Sequence, residues 1–127
     1  MGAKGHPRCA KCPTDLPWLV AAGDTDFAAA VDTDVLVVVD LWAPWCGPCR
    51  MVAPALEELS RRYAGRLKVV KVDVDRAPGV ARRFEARSIP LLVFLRGGRV
   101  VDSVVGAQPL HALQATVESL LHATSRH

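Results

Sequence analysis

Two pairs of cysteines are the residues best suited by type and spacing to carry chemistry. Cys9 and Cys12 form one Cys-x-x-Cys pair near the N-terminus, and Cys46 and Cys49 form a second one further along the chain. Thiolates attack disulfides, and they also bind metal ions such as Zn²⁺. Because the first residues do not read as a secretory signal, this spacing favours redox or metal chemistry over structural disulfides. Each pair needs its own interpretation.

The second pair lies in Trp45-Cys46-Gly47-Pro48-Cys49, between an apolar run and a helical pattern. Free N–H groups at a helix N-terminus and the helix dipole stabilise a thiolate, so we expect an exposed Cys46 with a lowered pKa. A separation of three residues on the first helical turn places the two Cα atoms about 5 to 6 Å apart, within the span of a disulfide. Pro48 suits an early helical position, and Gly47 leaves room for another chain.

The sequence therefore predicts a dithiol in which Cys46 attacks a disulfide and Cys49 resolves the mixed disulfide. The alternative is half of a zinc site, because Cys-x-x-Cys also begins zinc knuckles. The strand–helix–strand setting of this pair favours the redox interpretation.

Apolar periodicity predicts the elements that position this pair. A nearly continuous β-branched run at 35–42 is typical of a central strand, and helical spacing after it places Met51, Val52, Ala55, Leu56 and Leu59 on one face, with a kink at Pro54. The predicted elements in chain order are a helix at 27–31 capped by Asp24-Thr25, a strand at 35–42, a helix at 48–63, a strand at 67–74, a helix at 78–86, two strands at 91–95 and 100–105 about Gly97-Gly98, and a helix at 109–123.

This order predicts the α/β class, with a central mixed sheet flanked by helices on both faces. Residues 1–16 are predicted to be an irregular cysteine-containing extension, and residues 17–127 one domain. The chain has 127 residues, half of them apolar, and 16 basic against 13 acidic residues give a net charge of only +3. The absence of a dense basic block argues against nucleic acid, and the absence of a long apolar stretch argues against a membrane span, so we expect a soluble cytoplasmic protein.

The string VVVDLWAPWCGPCRMVAPALEEL resembles thioredoxin, and the resemblance extends from about residue 17 to the C-terminus. The matching positions are Asp40, Trp42, Ala43, Trp45, Cys46, Gly47, Pro48, Cys49 and Pro54, followed downstream by Lys71, Ile89-Pro90 and Gly106. The resemblance implies the thioredoxin fold and a monomeric electron carrier that needs no cofactor. It also implies disulfide-containing protein substrates and a flavoprotein thioredoxin reductase as partners.

The resemblance also implies a role for Asp40. A carboxylate inside VVVDLW is costly to bury as an anion, so its pKa should rise and it would exchange a proton with Cys49, through water. The alternative is a solvated aspartate near a strand end. Lys71 is expected to pair with Asp40, and its alternative is an ordinary strand lysine that points to solvent.

The same resemblance implies a substrate groove around a cis bond before Pro90, whose loop would present backbone groups to a substrate strand. Ile89 and Gly106 would border this groove. Trp45 would form apolar contact surface, the alternative being a core aromatic. Leu91 departs from the family, which commonly has threonine there, and this departure would alter substrate contacts.

The first pair, Cys9-Ala10-Lys11-Cys12, resembles half of the zinc-binding extension of some bacterial thioredoxins. Cys9, Cys12 and His6 are too few for the four ligands of a closed structural zinc site. Either the first pair of that extension has been lost, or the numbering begins late, or another chain completes the site. A flexible tail with two free thiols and a tail disulfide are the alternatives. His111, His122 and His127 show no ligand spacing and are interpreted as surface residues.

Three functions are compatible with these features. The first is a protein-disulfide reductase, which the Gly-Pro between the two cysteines favours because it resembles the reducing members of the family. The second is an adaptor with the same fold, or a zinc-dependent redox-regulated protein. The third is a disulfide oxidant or isomerase.

Overall fold

A computed structural model describes residues 16–124, which form one five-stranded sheet with helices on both faces and confirm the predicted α/β class. The elements in chain order are β1 (Trp18–Ala21), α1 (Phe27–Ala30), β2 (Leu36–Trp42), α2 (Gly47–Arg62), β3 (Leu67–Asp73), α3 (Pro78–Arg83), β4 (Leu91–Arg96), β5 (Arg99–Val105) and α4 (Leu110–Thr124).

The strands lie in the order β1-β3-β2-β4-β5, and β2 is the centre of the sheet. β3 pairs in parallel with both β1 and β2, whereas β4 is antiparallel to β2 and to β5. β2 is buried at six of its seven positions, as its continuous apolar run predicts. The chain leaves this strand at Trp42 and enters α2 at Gly47, so the central strand positions the Cys46–Cys49 pair.

The sheet separates two apolar cores. The first, called here the α1/α3 core, contains Phe27 of α1 and Val80 of α3, and the second, the α2/α4 core, contains Leu56 of α2 and Val117 of α4. Side chains of β2 alternate between them, with Val37, Val39 and Leu41 in the α1/α3 core and Leu36 and Val38 in the α2/α4 core. Apolar side chains therefore pack against both faces of the central strand.

The predicted hairpin about Gly97-Gly98 is present. Gly97 and Gly98 have φ of 60° and 81°, the left-handed conformation that a two-residue turn between antiparallel strands requires. Pro54 lies inside a continuous α2, as expected, and the kink stays a prediction.

Several predictions about elements were wrong. β1 was not predicted; it is only four residues long and lies at the edge of the sheet. Met51 was placed on the buried face of α2, but it is 74% exposed. α3 ends at Arg83 and not at residue 86.

The role predicted for Asp24 was also wrong. α1 has no side-chain cap hydrogen bond. The Asp24 carboxylate instead accepts hydrogen bonds from the N–H groups of Gly79 at 3.0 Å and Val80 at 2.9 Å, so it caps α3, which is distant in sequence. Gly79 suits this close approach, because a Cβ there would lie 3.0 Å from the carboxylate.

Cys9, Cys12 and His6, with the rest of residues 1–15, lie outside the described residues, and so does His127. None of the helices within residues 16–124 is long and apolar enough to cross a membrane.

Candidate active site

Cys46 and Cys49 are joined by a disulfide at the start of α2. Their Cα atoms are 5.3 Å apart, within the predicted range. Cys46 is the N-cap residue of α2, with extended backbone (φ −89°, ψ 110°), and its Sγ accepts a hydrogen bond from the Cys49 N–H at 3.2 Å. A free helix N–H therefore points at the Cys46 sulfur, where it would stabilise a thiolate.

The two sulfur-bearing side chains are less exposed than expected. Cys46 is 5% exposed and Cys49 is 2% exposed, so the prediction of an exposed Cys46 is wrong for this disulfide state. Gly47 and Pro48, which separate the cysteines, are exposed. A Cβ built on Gly47 meets nothing within 4 Å, so the open approach to the disulfide passes over these two residues.

The segment at Ile89 and Pro90 lies against the disulfide. The Ile89–Pro90 peptide bond is cis, and the Ile89 carbonyl oxygen is 3.8 Å from the Cys46 Sγ. The Pro90 carbonyl accepts a hydrogen bond from the Gly106 N–H at 2.8 Å, and Gly106 has φ of 90°, a conformation that glycine adopts readily. The structure thus brings Ile89 to the disulfide and Gly106 to Pro90.

Trp45 is a surface residue, and the interpretation as a core aromatic is wrong. Its side chain is 67% exposed, and its indole Nε1 donates a hydrogen bond to Asp75 Oδ2 at 2.8 Å. Asp75 was not predicted as a site residue; it lies two residues after β3 and is separated from Trp45 by 30 positions. Nothing in the local pattern distinguishes it from the acidic residues around it.

Asp40 is fully buried, so the solvated alternative is wrong. Neither carboxylate oxygen accepts a hydrogen bond from any residue between 16 and 124. Burial raises the pKa of Asp40 to about 6, and the positive charge of Lys71 opposes the rise. Asp40 lies on the same face of β2 as Leu36 and Val38, the face that packs against α2, the helix that carries Cys49.

Lys71 lies opposite Asp40 in the register between β2 and β3. Its Nζ is 4.9 Å from the centre of the Trp42 ring, a cation–π contact, and the two side chains line a cleft of about 590 Å³. Lys71 is half-buried, unlike an ordinary strand lysine. Lys71 attracts the Asp40 carboxylate electrostatically, but it makes no hydrogen bond to either Asp40 oxygen.

Leu91 follows Pro90 and is the first residue of β4. It is 7% exposed and belongs to the α1/α3 core, so this departure from the family pattern contributes to packing.

The part of the chain that the structure describes holds no group of three or more His, Cys, Asp or Glu side chains arranged to bind a metal ion. His111 is exposed, and His122 lies 3.9 Å from Glu118 on the surface of α4.

The chain is similar in sequence to known thioredoxins. The family model named Thioredoxin matches residues 19–119. Thioredoxin 1 of Nostoc sp. is 52% identical over 99 residues, covering 77% of this chain and 92% of its own length. The thioredoxin of Synechocystis sp. is 50% identical over 91 residues, covering 72% and 85%. The chloroplastic M-type thioredoxin of Spinacia oleracea is 42% identical over 91 residues, covering 72% and 50%.

Proposed function

The chain belongs to the thioredoxin family and is a thiol–disulfide oxidoreductase, and from that premise we propose that it reduces protein disulfides with Cys46 attacking and Cys49 resolving. The observation that carries this assignment is the hydrogen bond from the Cys49 N–H to the Cys46 Sγ. A sulfur that accepts a hydrogen bond from a helix N–H is the one whose thiolate form that helix stabilises most. Cys46 is also the more exposed of the two cysteines.

The reaction begins with the reduced dithiol. The Cys46 thiolate attacks one sulfur of a substrate disulfide, and the other substrate sulfur leaves as a thiolate and takes a proton. Cys49 then loses its proton and attacks the Cys46 Sγ. The Cys46–Cys49 disulfide forms and the second substrate sulfur is released. Both electrons come from the dithiol, so this family chemistry requires no cofactor.

Asp40 is the group proposed to hold the proton that Cys49 gives up. A carboxyl with a pKa of about 6 changes protonation state close to neutral pH, which suits an acceptor that must later return the proton. Burial keeps Asp40 from exchanging freely with bulk water, and Lys71 stabilises its charged form. Water is proposed to carry the proton between Asp40 and Cys49.

The substrate chain is proposed to lie over Gly47 and Pro48 and against Ile89-Pro90. The Ile89 carbonyl lies beside the attacking sulfur, as backbone pairing with a substrate strand would require. Trp45 and Gly106 would form further contact surface, and the exposed indole of Trp45 offers apolar area next to Cys46.

Family membership implies disulfide-bearing protein substrates and a thioredoxin reductase as partners. We further propose that this reductase is a flavoprotein, that the protein acts as a monomer in the cytoplasm, and that residues 17–127 are its catalytic domain. Residues 1–16 are proposed to be a separate extension that the redox chemistry does not use.

Reduction of insulin disulfides, driven by dithiothreitol, tests the assignment of the cysteines. Cys46→Ser should abolish turnover. Cys49→Ser should stop turnover as well. When this variant is first reduced, freed of dithiothreitol and then mixed with insulin, it should accumulate a mixed disulfide through Cys46, visible as a mass increase that dithiothreitol reverses. A mixed disulfide that formed in Cys46→Ser and not in Cys49→Ser would reverse the two roles.

The double variant Cys9→Ser/Cys12→Ser is the matched control, because it removes the other Cys-x-x-Cys pair. It should keep full activity, and zinc should be quantified on every sample. If activity and stoichiometric zinc disappeared together in this variant, the zinc-dependent alternative would replace the simple electron carrier.

A further inference from the structure

Two arginines lie close together in the chain at the C-terminal end of α3, Arg82 within the helix and Arg87 in the connection to β4. Arg82 and Arg87 are exposed, and no carboxylate within residues 16–124 forms an ion pair with either. By contrast, Arg61 and Arg62 on α2 each lie 2.8 Å from Glu58. The charge of Arg82 and Arg87 is therefore available to another molecule.

The backbone holds these two arginines around one groove. The N–H of Ala86 donates to the Ala81 carbonyl at 2.9 Å, and the N–H of Glu85 donates to the Arg82 carbonyl at 3.1 Å, which together form a Schellman motif at the end of α3. The N–H of Arg87 then donates to the Glu85 carbonyl at 2.8 Å. Arg82 and Arg87 line a groove of about 280 Å³ with Ala81, Glu85 and Ala86. Two guanidinium groups against one carboxylate leave the groove positive.

The groove lies near the active site along the chain. Arg87 is only two residues before Ile89, whose carbonyl oxygen lies 3.8 Å from the Cys46 Sγ. A protein chain held against Ile89-Pro90 would thus place its neighbouring residues within reach of Arg87.

We propose that Arg82 and Arg87 form a docking site for acidic side chains that lie close to the disulfide of a protein substrate. Guanidinium groups bind carboxylates through paired, charge-assisted hydrogen bonds, which makes arginine suited to this recognition. The charges also steer an acidic substrate toward Cys46, and this attraction weakens as salt screens it. The inference rests on the proposed function, because it requires the substrate to bind along Ile89-Pro90.

Two disulfide peptides that differ only in glutamates or lysines beside the cysteines provide the test. At low salt the wild-type kcat/KM should favour the glutamate peptide by roughly three- to tenfold, the scale of two partly exposed charge pairs. This preference should shrink as salt increases. The variant Arg82→Gln/Arg87→Gln should lose most of it.

Arg99→Gln is the matched control. Arg99 is exposed and has no ion-pair partner among the described residues, but it lies at the far end of the β4–β5 hairpin, roughly 20 Å of strand from Pro90. It should keep the preference for glutamate. Equal kcat/KM for the two peptides in the wild type, or an unchanged preference in the double variant, would overturn the proposal.

Reduction of the neutral hydroxyethyl disulfide separates this proposal from the proposed function. The double variant should reduce it at the wild-type rate, because this small disulfide has no acidic groups to dock. A loss of that rate in the double variant would show damage to the dithiol and overturn docking as the role of these arginines. A wild type unable to reduce this disulfide would instead contradict the proposed function itself.

Discussion

At the scale of single residues, the buried carboxyl of Asp40 links the stability of the protein to pH. Its folded-state pKa of about 6 lies above the ordinary value of 3.8, chiefly because of burial. The folded protein therefore holds the proton more tightly than the unfolded chain does. The resulting stability is fully present below the unfolded pKa and is lost as pH rises through about 6.

Asp40→Asn should remove this loss because the amide does not ionise. The gain in the free energy of unfolding that Asn gives over the wild type should be about 2 to 3 kcal/mol larger at pH 8 than at pH 4, from about 1.4 kcal/mol per pKa unit. Guanidinium titrations with the Cys46–Cys49 disulfide intact measure both differences.

Lys71→Met provides a second arm of this experiment. The charge of Lys71 lowers the pKa of Asp40, so its removal should make the loss of stability between pH 4 and pH 8 larger than in the wild type. If the Asp40→Asn difference were the same at both pH values, Asp40 would not be the group that titrates.

At this scale the sequence predicted the chemistry of the site better than its surroundings. Cys46 and Cys49 could be placed because three-residue spacing at a helix start fixes their geometry. The exposure of Cys46 and the hydrogen bond from Trp45 to Asp75 could not be predicted, because both depend on how loops that are distant in sequence pack together. Burial of Asp40 followed from its apolar neighbours in VVVDLW.

At the scale of elements, α3 is followed by Glu85 in a left-handed backbone conformation that residues other than glycine disfavour. Glu85 has φ of 52°, the left-handed position of a Schellman motif, where glycine is the usual residue. Its Cβ crowds the backbone there, and a negative charge at a helix C-terminus is unfavourable. This end of α3 is therefore less stable than its hydrogen bonds alone would suggest.

Glu85→Gly should raise the free energy of unfolding by about 0.5 to 1 kcal/mol, because it relieves the Cβ contact. Urea titration should show a higher midpoint with an unchanged slope. Glu85→Ala is the control, since it removes the charge but keeps the Cβ, and it should gain only a few tenths of a kcal/mol. Equal gains from both variants would assign the cost to charge and not to conformation.

Elements with long apolar patterns were predictable, and those defined by tertiary contacts were not. The continuous run of β2 and the helical spacing of α2 identified both elements within a few residues. β1 was missed because four residues at an edge show little alternation, and its pairing with β3 is formed by residues about 50 positions apart. Asp24 was misassigned for the same reason, since its partners Gly79 and Val80 lie on α3.

At the scale of the whole molecule, the sheet acts as a partition between the α1/α3 core and the α2/α4 core. Leu41 and Val93 face one side, and Leu36 and Leu92 face the other. The active site lies where α2 meets the end of the central strand, so packing in either core positions it.

This separation predicts that the losses of stability caused by substitutions in the two cores add independently. Val80→Ala in the α1/α3 core and Val117→Ala in the α2/α4 core each remove two buried carbon atoms and should each cost about 2 kcal/mol. Because the sheet separates the sites, the double variant should equal their sum within about 0.5 kcal/mol in denaturant titrations. The contrast pair Val52→Ala/Val117→Ala lies within the α2/α4 core and should show an interaction energy. An interaction above about 1 kcal/mol between Val80 and Val117 would mean that the sheet transmits packing changes and that the two cores respond as one.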